Sequence, residues 1–153
     1  MVSTRNREVL LDRLDEALRQ ADAPGRDLFA KIVTGACARL PLVLGKAEQI
    51  DRLIAAGAWT DAALALAALE LPAWTVRRLA YDADGWVCSL SRQPNLPETL
   101  DNTAEASHTL MPLAILRAFL QARRMVETAS RAISSVPQIA IGAGTAICCD
   151  NFA

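Results

Sequence analysis

The sequence predicts an α+β fold: a single, mostly helical domain of five to six helices with one antiparallel β-hairpin packed on them. Apolar residues recur at three- and four-residue steps through most of the chain, the period of a helix with one buried face. Between residues 74 and 91 that period gives way to aromatic-containing runs joined by Asp82-Ala-Asp-Gly85, a hairpin signal. The 153 residues, 52% of them hydrophobic, suit one domain and bury a core without metal or disulfide staples. The predicted domain covers residues 1–133 with the hairpin at 74–91; residues 134–153 form a C-terminal tail.

Each element has its own reason. From Arg7 to Ala21, Leu10, Leu11, Leu14, Leu18 and Ala21 line one face, and Asp15 with Arg19 forms an outward pair one turn apart. Asp22-Ala-Pro-Gly25 ends this first helix, because Pro24 disfavours the helical region for Ala23. Leu28, Phe29, Ile32, Val33, Ala36, Cys37 and Leu40 carry a second helix up to Pro41. After the apolar connector Pro41-Leu-Val-Leu-Gly45, Ala47, Ile50, Leu53 and Ile54 give a short third helix ended by Gly57. Thr60 is placed as the N-cap of the fourth, and Asp61 suits its first turn. From Ala62 to Leu71 this helix is apolar on nearly every side, so protein must surround it.

In the hairpin Leu79, Tyr81, Trp86, Cys88 and Leu90 share an apolar face, with Arg78, Ser89 and Ser91 opposite. A four-residue loop at 82–85 would set Tyr81 against Trp86, Leu79 against Cys88 and Arg77 against Leu90; a turn at Asp84-Gly85 alone would move the register by two and keep the same residues on the same face. A lone hairpin is marginal in water, which predicts that this face lies on helices. Pro94 and Pro97 mark a loop, and 98–107 is read as a short helix. The last long helix, 111–132, tolerates Pro112 only in its first turn. Its seam of Ile115, Phe119, Ala122, Val126, Ala129 and Ile133 steps in heptad fashion, widened early by Leu113, Leu116 and Leu120. In the tail, Gln138-Ile-Ala-Ile141 is read as one short strand.

Composition excludes several function classes. With 16 Lys+Arg against 17 Asp+Glu, the net charge of −1 argues against a nucleic-acid-coating protein or a polybasic membrane binder. The first residues reach Glu8 without the apolar core of a secretory signal, and the apolar stretch 54–71 is broken by Thr60, Asp61 and Glu70. The expected location is cytoplasmic, with no membrane partner. Cys37, Cys88, Cys148 and Cys149 match no zinc spacing, and the adjacent pair is sterically awkward as a redox couple. Reduced thiols are expected.

No motif for chemistry survives inspection. Ile141-Gly-Ala-Gly-Thr-Ala146 resembles the opening of a dinucleotide loop but lacks its third glycine, so no cofactor is expected. Leu44-Gly-Lys46-Ala lacks the remainder of a phosphate loop. His108 is the only histidine, without a metal-ligand set or a visible nucleophile partner, so neither a catalytic residue nor a metal site is assigned. Ala55-Ala-Gly57-Ala-Trp59-Thr-Asp-Ala62 resembles the turn of a tetratricopeptide-type hairpin; with no second copy, it is a common helical-hairpin device. The order of three helices and a hairpin is similar to a winged helix, yet 62–71 offers no Arg, Lys, Asn or Gln to a base edge.

The remaining candidates are surfaces. Trp59, Trp74, Tyr81 and Trp86, with His108, are candidate ligand or interface residues; the alternative reading has the aromatics knitting the hairpin to the fourth helix. Phe119, Ala122, Val126 and Ala129 are candidate interface residues on the long helix, unless the first helix covers that seam through Leu10, Leu14 and Leu18. Arg117, Arg124 and Arg131 repeat at seven residues beside Arg123 and give the long helix a basic flank, with Glu127 placed for pairing within the helix. The expected role is a non-catalytic binding or assembly module, with itself as a homodimer or another protein as partner. The alternative is a small-molecule-binding protein or minor enzyme with a pocket beneath the hairpin aromatics, and the third is a degenerate winged-helix regulator.

Overall fold

Phe29, Leu66, Ile115, Leu116 and Phe119 are fully buried and mark where the helices and the sheet meet. The computed structural model describes residues 4–135. In chain order these form α1 (Thr4–Gln20), α2 (Arg26–Ala36), a 3-10 turn (Leu40–Leu42), α3 (Leu44–Ala55), α4 (Trp59–Glu70), β1 (Thr75–Asp82), β2 (Gly85–Ser91), β3 (Ala104–His108) and α5 (Met111–Ser134). The α+β class is as the sequence predicts. The short strand read at 138–141, the glycine-containing stretch at 141–146, and Cys148 with Cys149 lie outside the described residues.

The strands make one antiparallel sheet in the order β1-β2-β3. The stretch 98–107, read from sequence as a short helix, contributes β3 instead, pairing Cys88 with Ala106 and Leu90 with Ala104. Ala104-Glu-Ala-Ser-His108 carries no β-branched or aromatic residue; it is a strand because β2 offers an unpaired edge and α5 needs a cover. Tyr81 faces Trp86 and Leu79 faces Cys88, as the four-residue loop reading has it. The register then slips between Val76 and Arg78, so Leu90 faces Val76 and not Arg77. This bulge releases Arg77, whose guanidinium donates to the Asp101 carboxylate and, at 2.8 Å, to the Leu96 carbonyl. Ser91 Oγ donates to the same carboxylate at 2.6 Å. The loop after β2 is thereby tied to the outer face of the sheet, where Ser89 and Ser91 are buried although they alternate with the core-facing Cys88 and Leu90. Gly85 closes the hairpin at φ +141°, and a Cβ there would stand 2.7 Å from the His108 carbonyl oxygen.

The helices cover the inner face. α5 packs on β2, β3, α4 and α1; α3 packs on α4, and α2 on α1. Thr60 is not the N-cap of α4, because the helix already begins at Trp59 with Ala58 in the cap position and no side-chain cap. The burial of α4 follows the sequence expectation, with Ala62, Ala63, Leu66 and Ala67 all inside.

One acidic residue closes α4 from within the core. Glu70 is 3% exposed. Its carboxylate accepts the backbone N–H groups of Ala38, Arg39 and Leu40 at 2.9, 2.8 and 2.7 Å. A carboxylate is tolerated at such depth only when its oxygens are taken up by donors. The arrangement locks the end of α2 and the start of the 3-10 turn to the end of α4. Replacing Glu70 with alanine would leave the buried Leu40 N–H without a partner and free the part-buried N–H groups of Ala38 and Arg39; Glu70→Ala is therefore expected to lower unfolding free energy by about 2 kcal/mol in urea titration. Glu70→Gln, which keeps one acceptor oxygen, should fall between the two, and a loss for Glu70→Ala below about 1 kcal/mol would contradict this role.

Candidate functional site

The surface-forming residues of α5 are set by what clasps its other side. Arg117 donates through Nε to Asp15 at 2.9 Å, Arg124 pairs with Asp12 at 2.8 Å, Arg131 with Glu8 at 2.8 Å, and Glu127 with Arg7 at 2.6 Å. The expected pairing within α5 is thus replaced by pairing across to α1, which runs antiparallel beside it. At about 3.6 residues per turn, Arg117, Arg124 and Arg131 share one flank, and the seam Ile115, Phe119, Ala122, Val126 and Ile133 falls roughly half a turn away. α1 therefore sits on the wrong side to cover that seam. Its Leu11, Leu14 and Leu18 are buried, whereas Leu10, one of the residues expected to cover the seam, is exposed.

The seam divides in two. Ile115, Phe119 and Ala122 are fully buried within the protomer, so Phe119 and Ala122 present no surface to a partner. Val126 is half-buried, Ala129 is exposed, and Ile133 is 76% exposed. Beside this second half lies a groove of about 420 Å³ lined by Trp74, Met125, Val126 and Ala129, with Arg92 and Asn102 also on its walls. Asp101 lines it too, but its carboxylate is taken by Arg77 and Ser91.

The four aromatics predicted as a cluster do not converge. Trp59 stacks at a tilt on Phe29, with ring centroids 5.7 Å apart, and belongs to the α2–α4 contact. Tyr81 and Trp86 meet edge to face at 5.5 Å across the hairpin, where Tyr81 is 68% exposed and Trp86 half-buried. Trp74 alone of the four lines the groove beside α5. Sequence reasoning placed all four close in the chain; the folded sheet carries Trp74 and Tyr81 to opposite ends of β1.

The candidate nucleophiles are held protonated. Burial, with Glu70 nearby as the second cause, pushes the Cys37 thiol up to about 12, and burial followed by Glu105 pushes Cys88 up to about 11. Both are unpaired thiols. His108 stands beside Trp86 in the register, and its Nδ1 accepts the Leu110 N–H at 3.0 Å at the start of α5. That role requires a ring nitrogen without a proton. Among the described residues no group of three His, Cys, Asp or Glu side chains is arranged to hold a metal ion. α4, the helix in the recognition position of a winged helix, is packed between α3 and α5 and has its small-residue face buried. No known protein family, curated protein or solved structure matches the chain.

Burial first, and the Arg117 cation second, lower the His108 pKa below its ordinary 6.5, against the opposing pull of the Arg19 and Leu18 backbone and of Asp22. A base whose pKa is lower folded than unfolded binds more protons when unfolded, so acidification through 6.5 toward the folded value costs stability, and the cost levels off below that value. His108→Gln, which does not titrate and keeps an acceptor, should lose less Tm than the wild type between about pH 7.5 and about pH 5.5. Parallel losses in the two proteins would contradict the capping role.

Proposed function

We propose that this chain is a non-catalytic assembly module that pairs with a second copy of itself through the C-terminal half of α5. The observation that carries the reading is the exposure of Ala129 and Ile133 in line with a heptad seam whose first half is core. Heptad spacing is self-complementary along a two-fold axis, and cyclic dimers are the commonest oligomers. Val126, Met125 and Trp74 continue the apolar surface into the neighbouring groove, so a partner helix has both a ridge and a recess to meet. Unpaired thiols at Cys37 and Cys88 suit a reducing, cytoplasm-like compartment.

A second reading draws on the same groove. Its volume of about 420 Å³ and its mixed lining of Trp74, Met125, Arg92 and Asn102 suit a small ligand, and a thermal-shift screen of metabolites tests for one. DNA binding has less support: Arg77, one of the strand arginines available for phosphate contact, is committed to Asp101 and Leu96.

Light scattering on the wild type at high concentration should give twice the protomer mass, and Val126→Glu should give a folded monomer. Ile133→Glu, at a site too exposed to matter for folding, should act in the same direction. A monomeric wild type, or an unaltered dimer in both variants, would overturn the reading.

A further inference from the structure

The most exposed apolar segment among the described residues lies far along the chain from α5, in the connector between α2 and α3. Leu42 is 80% exposed, Val43 41% and Leu44 76%, and all three follow directly on one another. Single exposed leucines are ordinary on a protein surface; three consecutive large apolar side chains held out from it are not.

The segment is rigidly presented. Leu40, at its base, is buried. The N–H groups of Ala38, Arg39 and Leu40 are fastened to Glu70, Leu42 N donates to the Arg39 carbonyl at 2.9 Å, and Ala47 N donates to the Val43 carbonyl at 3.0 Å. Hydrogen bonds therefore hold the backbone on both sides of the tip, and little ordering entropy remains to be lost on contact.

Charge identifies what the tip would meet. Arg39 and Lys46 flank it, both are exposed, and neither forms an ion pair among the described residues. No acidic residue stands between positions 39 and 47. α3 begins at Leu44 with no side-chain cap and no carboxylate in its first turn, so the positive end of its dipole also faces this side. A protruding apolar point flanked on both sides by a cation, with Glu48 the first acid beyond it, fits a surface that is apolar within and anionic at its rim. The groove beside α5 does not qualify as the receiver on a second copy, since its wall carries Arg92. We propose that residues 41–45 are a peripheral membrane-contact tip: Leu42, Val43 and Leu44 enter the headgroup boundary of an anionic bilayer while Arg39 and Lys46 engage its phosphates and carboxylates. The expectation of no membrane partner rests on the net charge and the lack of a spanning stretch, and one-sided contact by a local tip needs neither a basic protein nor a spanning helix; no described helix is long and apolar enough to cross a membrane. A bilayer, being fluid, receives such a point without the matching concavity that a protein partner must provide.

Co-sedimentation of the full chain with vesicles tests this directly, using phosphatidylcholine alone and phosphatidylcholine with roughly 30% phosphatidylserine. The wild type should partition onto the anionic vesicles, less so as salt is raised. Leu42→Ser with Leu44→Ser should weaken that partitioning by roughly tenfold or more, with an unchanged circular dichroism spectrum. Arg39→Gln with Lys46→Gln keeps the apolar tip and should lose the preference for phosphatidylserine, which keeps the test decisive if the serine variant is unstable. Wild type that stays in the supernatant with both vesicles, the result expected of a protein-docking tip, would overturn the proposal. Anionic-vesicle binding that both double variants retain in full would overturn it as well.

Discussion

Which side of α5 is left over depends on the clasp between α1 and α5. Leu11, Leu14 and Leu18 are the buried face of α1, with Leu14 directed at Gly35 of α2, and the ion pairs of Asp15, Asp12, Glu8 and Arg7 with Arg117, Arg124, Arg131 and Glu127 fix which flank of α5 meets α1. Exposed pairs contribute little energy singly, about 0–1 kcal/mol. Their effect is on choice: any rotation of α5 that hid Ile133 would separate these charges. The Asp15–Arg117 pair weighs more, since both side chains are largely buried and Arg117 also donates to the Ser107 carbonyl at the end of β3. With that flank fixed, the opposite side of α5 is fully buried only as far as Ala122, partly covered at Met125 and Val126, and exposed from Ala129 to Ile133, so the apolar stripe runs on beyond the core.

Two buried carboxylates do for the loops what the clasp does for the helices. Glu70 gathers three backbone donors at the turn after α2, and Asp101 gathers Arg77 and Ser91 over the outer face of the sheet. Glu70 lies about thirty residues from the turn it holds, so that turn is positioned by the core and not by its own composition, whereas Asp101 belongs to the loop it anchors and finds its partners on the strands. One consequence is that the connector at 41–45 is exposed yet fixed. Another is that the polar wall of the groove beside α5, which includes Asp101, is built from an already satisfied group.

Much of this was legible in the chain. The helical periods of α1 to α5 announce themselves through Leu, Ile and Ala spacing, and Asp82-Ala-Asp-Gly85 marks the hairpin and the face shared by Leu79, Tyr81, Trp86, Cys88 and Leu90, while the pairing of Tyr81 with Trp86 is one of the two registers it allows. What local reasoning missed was decided by distant partners. β3 has the composition of a helix or loop and becomes a strand through β2. Glu70 gave a signal of a kind, as a lone charge closing an apolar helix just before Pro72, and Glu8, Asp12 and Asp15, at steps of four and three, share one face of α1 just as Arg117, Arg124 and Arg131 share one flank of α5. The aromatic cluster failed for the opposite reason: closeness in sequence does not survive an extended strand, which carries Trp74 and Tyr81 apart. Of the candidate site, Val126, Ala129 and Trp74 meet at one groove, whereas Phe119 and Ala122 are core.

Hydrogen exchange along α5, followed as a function of protein concentration, tests the central claim most directly. If the first half of the helix is core and the second half is a surface that a second copy covers, amides over 113–122 should exchange slowly at every concentration, while those over 126–134 should gain protection as concentration rises. Protection over 126–134 that is independent of concentration, whether high or low, would contradict the account.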